Sequence, residues 1–328
     1  MKYSYAMVGR MQLDDYVRVV PQIYGEHDRH RSIWDVWCHT LHHGANVAER
    51  IRKEAPADKL FTEIADLALW MFTTVQKLSG KPGKRKGASE SQVETLVRIQ
   101  NSCSDLVWHR YPGVCHLCYA RRSVSQRHGL DLPLCDCSGR KSDRRDRDAK
   151  RADVRALRIF SESVRRHKPR TIDDWQLMFA SIFAQKIERL SQPEIGFHLL
   201  EELGEVSNAI VRMYSYTKGN FRPGEPNWRQ ARLEDQIADA FSWLFALVQK
   251  LNAGPAKNNR DAPKVGHRRI TLSAIIWRRY GADHLNSFRC PSCDKAVCSC
   301  PLVFVPGTHP VEEVLRRYKP PNFLMRTK

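Results

Sequence analysis

Residues 201–205 read Glu-Glu-Leu-Gly-Glu. On a helix Glu202 and Glu205 lie three positions apart and Glu201 and Glu205 four apart, so the three carboxylates share a face. Like charges held this close repel one another unless a cation lies among them. Hard oxygen donors of this kind suit Mg2+ or Mn2+. A second acidic stretch follows, Glu234-Asp235-Gln236-Ile237-Ala238-Asp239, in which Asp235 and Asp239 again share a face. Packed against each other, the two helices would bring Glu201, Glu202, Glu205, Asp235 and Asp239 to one cleft. The plainer alternative is a pair of solvated helix faces.

Ten cysteines offer a second chemistry. Eight fall into two sets, Cys115, Cys118, Cys135 and Cys137, then Cys290, Cys293, Cys298 and Cys300; Cys38 and Cys103 stand apart. Each set opens with Cys-x-x-Cys and closes with Cys-x-Cys. Four thiolates in so short a span suit tetrahedral Zn2+, and an all-thiolate site leaves no open position, so its role would be structural. A redox dithiol or an iron–sulfur site would draw on the same thiols. His116, His128 and His284 lie nearby and read as surface residues.

The elements that must position these groups occur twice. Shifted by 159 positions, residues 171–210 fall on 12–51: Asp173-Asp174 on Asp14-Asp15, Ile182 on Ile23, Ser191 on Ser32, His198 on His39, Val206 on Val47. Further on, Leu233, Ile237-Ala238-Asp239, Trp243 and Phe245 repeat Leu60, Ile64-Ala65-Asp66, Trp70 and Phe72. Trp277-Arg-Arg-Tyr280 repeats Trp108-His-Arg-Tyr111, and a cysteine set follows each. An internal repeat decides architecture before other signals do.

Apolar spacing predicts four helices per copy: 12–26, 32–53, 58–79 and 91–111, then the segment from 171, 191–215, 231–252 and 270–280. Thr171 suits an N-cap. Strand signals are confined to short stretches at the cysteine clusters. Residues 79–90 and 252–269 are rich in breakers, and 138–155 form a charged joint. The expected fold is all-α: residues 1–137 one repeat with its cysteine cluster, 138–155 a basic linker, 156–328 the second repeat with its own. Trp70, Phe72, Trp243 and Phe245 fit core packing better than base stacking, and His39 and His198 fit a structural role.

The formal charge of +18 implies attraction to nucleic acid or nucleotides, with a solvated basic surface as the plainer reading. No apolar run approaches the roughly 20 residues a membrane helix needs, and Met-Lys-Tyr-Ser-Tyr-Ala lacks the apolar stretch of a signal peptide. The expectation is a cytoplasmic protein without a membrane partner.

The run Glu-Glu-Leu-Gly-Glu-Val, followed by Glu-Asp-x-Ile-Ala-Asp-x-x-x-Trp-Leu, resembles the MazG-type all-α nucleoside triphosphate pyrophosphohydrolases. Tyr-Pro-Gly-Val-Cys-x-x-Cys resembles the cysteine tail of some MazG-like proteins. The resemblance covers most of both copies and is strongest over 198–251. It implies helical bundles packed as an intramolecular pseudo-dimer, with Mg2+ held by a Glu-x-x-Glu helix and a Glu-x-x-Asp helix. It also implies cleavage of a nucleoside triphosphate to monophosphate and pyrophosphate. Carried over, the metal ligands are Glu202, Glu205 and Asp239. The position expected to be acidic at 236 is Gln, and Asp235 is the nearest substitute. Glu201 or Glu205 would orient the attacking water, and Lys186, Lys250 or Arg212 could neutralise phosphates.

The first copy departs in a complementary way. His42, His43 and Asn46 stand where the second copy has Glu201, Glu202 and Glu205, yet Glu63 and Asp66 keep the second acidic pair. Three outcomes follow: one working site in the second copy, a composite site joining Glu202 and Glu205 to Glu63 and Asp66, or a decayed enzyme serving as a binding or regulatory protein for nucleic acid or a protein partner. Dimerisation of the whole chain is left open.

Overall fold

The computed structural model describes residues 5–79, 99, 101–120, 156–214, 228–252, 269–282 and 287–300. Cys135, Cys137, His128, His284, the joint 138–155 and most of the two breaker-rich loops lie outside them.

The described chain is mostly helical. A short α1 (Tyr5–Val8) precedes α2 (Leu13–His30), α3 (Ile33–Arg52), α4 (Ala57–Ser79), α5 (Cys103–Arg110) and α6 (His116–Ala120). After helical residues 156–163 and a 3-10 turn at Arg165–His167 come α7 (Ile172–Ile182), α8 (Ala184–Arg189), α9 (Gln192–Tyr214), α10 (Trp228–Asn252) and α11 (Leu272–Tyr280). A two-stranded antiparallel ribbon, β1 (Gly281–Ala282) and β2 (Ser287–Phe288), leads into the second cysteine cluster.

Local chemistry fixes the helix starts. Ser32 Oγ accepts from Asp35 N while the Asp35 carboxylate accepts from Ser32 N, a reciprocal cap worth about 1 kcal/mol. Thr171 and Asp174 make the same box at α7. The helix expected over 91–111 differs: Ile99 is not helical, and α5 begins at Cys103, where Ser102 caps it. The second copy also breaks its first helix at Phe183, making α7 and α8 where the first copy has the single α2.

One continuous apolar core runs through both halves of the chain. α3 lies on α4 and α9 on α10, and α3 crosses α9. At that crossing Gly44 faces Leu203, its own counterpart in the repeat; a Cβ at Gly44 would stand 2.5 Å from Leu203 Cδ1. Trp37 Nε1 donates to Ser207 Oγ at 2.7 Å across the same seam. The Arg-Tyr helix of each half packs on the other half: α5 lies on α10, and α11 lies on α4. Trp108, from the first half, meets Trp175 edge-on at 6.2 Å and donates to the Ser161 carbonyl.

Candidate functional site

Two long helix pairs carry the acids, α9 with α10 and α3 with α4. In the second half Glu202 is partly buried on α9, and no hydrogen bond or ion pair holds it among the described residues. Burial, then the nearby charges of Asp239, Glu201 and Glu205, push its carboxyl up to about 7. Asp235 is raised to about 6, first by burial and then by Asp239 and Glu234 against the pull of Arg110. Glu205 pairs with Arg232 at 3.1 Å, and Glu201, at the exposed rim, lies 3.2 Å from His198 Nδ1. Glu234 turns elsewhere and accepts from Asn101 and Gln230.

Asp239 differs from its neighbours. Its Oδ1 accepts from Arg110 Nε at 2.9 Å and from the Tyr111 hydroxyl at 2.7 Å, and its Oδ2 accepts from Arg110 Nη2 at 2.8 Å. Burial alone would raise this carboxyl, yet Arg110 and the hydrogen bonds hold it below the usual range. Arg110 Nη1 also reaches Asp235 at 3.4 Å. Both donors come from the first half, at the C-terminal end of α5.

The first half answers with a different set. Glu63 accepts from His43 Nδ1 and Asn46 Nδ2, each at 3.1 Å, and from Arg50 at 3.5 Å. Burial works against ionisation there, but these donors keep Glu63 below the usual carboxylate range. Asp66 accepts from Arg279 Nε at 3.0 Å, Arg279 Nη2 at 3.2 Å and the Tyr280 hydroxyl at 2.5 Å. Glu63 and Asp66 thus face cations of α3 and α11, and among the described residues no set of three or more donor atoms within 4.8 Å of one another joins them to Glu202 or Glu205.

Among the described residues, two groups of side chains bring one donor atom each within 4.8 Å of one another: Cys290, Cys293, Cys298 and Cys300, and His43, Glu63 and Asp66. Glu202, Glu205 and Asp239 do not close to that distance as a set. The cysteine group could hold a metal. Cys290 Sγ and Cys300 Sγ lie 3.9 Å apart, close to the ~3.8 Å edge of a tetrahedron with 2.3 Å metal–sulfur bonds. Cys290 and Asp294 bond within the knuckle, where Asp294 takes the left-handed conformation at φ 59° that Asp tolerates. Cys298 N donates to the Ile23 carbonyl at 2.7 Å, so the second half's knuckle docks on the first half's α2. In the first cluster Cys115 is buried and Cys118 partly so.

The sequence placed His116 at the surface, and the structure corrects this. Its ring stands edge-on to Tyr111 at 5.2 Å, its Nδ1 is buried without a hydrogen-bond partner, and burial followed by the charge of Arg110 lowers it to about 3. The ring contact with Tyr111 at the end of α5 leaves His116 partly buried rather than exposed. His39 and His198 stack on Trp70 and Trp243, each pair at 4.4 Å, one helical turn from the acids. Phe72 and Phe245 are fully buried, as their spacing predicts. The functional residues missed by sequence reasoning are Arg110, Tyr111, Arg279 and Tyr280. The signal available was that Arg-Tyr and Ile-Ala-Asp recur together in both halves.

No helix among the described residues is long and apolar enough to cross a membrane. No family model, curated protein or solved structure matches the chain.

Proposed function

We propose that the chain is a tandem MazG-like protein whose halves pair as a pseudo-dimer, with one Mg2+- or Mn2+-dependent nucleoside triphosphate pyrophosphohydrolase site in the second half. The observation that carries this reading is the charge balance around Glu202. Glu201, Glu202 and Glu205 on α9 and Asp235 and Asp239 on the adjoining α10 carry five carboxylates, and the cations ion-paired to them are Arg110 and Arg232, with His198 beside the exposed Glu201. Burial, and then the charges of Asp239, Glu201 and Glu205, raise Glu202 to about 7, and a divalent cation would relieve the repulsion among them. The first half has no such deficit, because His43, Arg50 and Arg279 already face Glu63 and Asp66. Mg2+ is usually held by one or two carboxylates together with substrate phosphates and waters, so a closed cage of three acids is not required.

The cation would rest on Glu202 with Glu205 and Asp235, and would polarise the triphosphate. Glu205, fixed by Arg232, orients a water toward the α-phosphorus; the α–β bridge breaks and pyrophosphate leaves. Zn2+ in the Cys290–Cys300 knuckle would be structural and would pin the knuckle to α2. The paired cysteines after α5 would hold a second structural Zn2+.

The test is a panel of nucleoside triphosphates incubated with Mg2+ and read for pyrophosphate. Turnover lost by at least 100-fold in Glu205→Gln supports the enzyme. A second reading, a non-catalytic binding protein, draws on the full engagement of Asp239 by Arg110 and Tyr111 and on Gln236 in place of an acid. Absence of turnover together with salt-sensitive binding to DNA or RNA would favour it, given the charge of +18.

A further inference from the structure

We propose that Asp239 and Asp66 are positioning residues that anchor the Arg-Tyr helix of each half on the other half, rather than cation ligands, and that the degenerate first half is required because Arg110 and Tyr111 hold the second half's Asp239 in place. The bonding is the same atom for atom. In each half the aspartate Oδ1 accepts from arginine Nε and from the tyrosine hydroxyl, while Oδ2 accepts from arginine Nη2. Both lone pairs of Oδ1 are thereby used.

The two halves serve as each other's control. Where the second half has Glu201, Glu202 and Glu205, the first has His42, His43 and Asn46, so the first half has lost its leading acidic set. Asp66 nonetheless keeps its arginine and tyrosine unchanged in geometry. A role shared by Asp66 and Asp239 therefore cannot depend on those glutamates. It is explained by the packing of α5 onto α10 and α11 onto α4, which draws two guanidinium groups partly out of water beside a carboxylate that serves as counter-anion. Arg110 is the more deeply placed, with 16% of its side chain exposed against 34% for Arg279, so the second-half anchor should matter more. Resting on the cation reading above, the corollary is that the ion is carried by Glu202, Glu205 and Asp235.

Melting in buffer without added divalent cation separates an anchor from a ligand by sign. Removing a charge from a repulsive ligand cluster stabilises the metal-free chain, whereas removing one from an anchor strands a buried arginine. Glu202→Gln should raise the melting temperature, and Asp239→Asn and Asp66→Asn should each lower it by about 5–10 °C. Amide exchange read by mass spectrometry should then show a crosswise pattern. Asp239→Asn loosens 103–111, in the first half, and Asp66→Asn loosens 272–280, in the second. Tyr111→Phe and Tyr280→Phe are milder versions of the same test should an aspartate variant fail to fold. A rise in melting temperature for Asp239→Asn, or tyrosine variants that leave exchange in both segments unchanged, would overturn the proposal. Neither readout needs a bound cation or turnover, so failure of the hydrolase reading would leave this result standing on its own.

Discussion

Glu202 and His43 occupy corresponding positions in the repeat and meet opposite surroundings. Glu202 stands among other carboxylates, while His43 hydrogen-bonds Glu63. The difference has a measurable sign. Glu202 titrates at about 7 in the folded chain against 4.5 for a free side chain, and Asp235 at about 6 against 3.8. Between those limits the folded chain binds more protons than the unfolded one, so the stability these groups contribute is full at low pH and is lost as pH rises through about 7. Asp239, held low, acts in reverse: its contribution is present above 3.8 and disappears only in more acid solution. In calorimetry without added divalent cation, Glu202→Gln should flatten the melting profile between about pH 5 and 8 and gain a few degrees at the upper end. A variant profile running parallel to the wild type would mean that the acids are not crowded. The acids of α9 and α10 were legible in the sequence because their spacing is local. Their differing states were not, because Arg110 approaches Asp239 from 129 positions away.

At the scale of elements, the helices were largely readable. Ser32, Thr171 and Thr271 cap where polar residues precede apolar periodicity, and the cysteine spacing foretold the knuckle. The exchange of α5 and α11 was not readable, since the pattern of a helix names its buried face but not the neighbour that covers it. The break at Phe183 was likewise hidden, because Phe183 is itself buried and fits the apolar pattern. The α3–α9 crossing gives a direct check on how the halves meet. Gly44 leaves the space that Leu203 fills. Gly44→Leu should cost about 1–3 kcal/mol through overpacking, and Leu203→Gly about 3–5 kcal/mol through the cavity and the helix glycine. If the two positions are true counterparts across the seam, the double variant Gly44→Leu/Leu203→Gly should recover at least half of the summed loss in denaturant unfolding. Strict additivity would show that they do not share one space.

Across the whole molecule, the two halves interlock but differ in charge. A single core joins them, reciprocal Arg-Tyr pairs bind each to the other, and the second half's cysteine knuckle sits on the first half's α2. The first half sets His43, Arg50 and Arg279 against Glu63 and Asp66, while in the second Glu202 stands among other carboxylates. That asymmetry is the ground for placing a divalent cation in one half only. Titration of Mn2+ into the full chain, followed by electron paramagnetic resonance, tests it most directly. The wild type and Glu63→Gln should each show a saturable site, and Glu202→Gln should weaken it at least 10-fold. A wild type with no saturable site, or a site that survives Glu202→Gln and is lost in Glu63→Gln, would contradict the account.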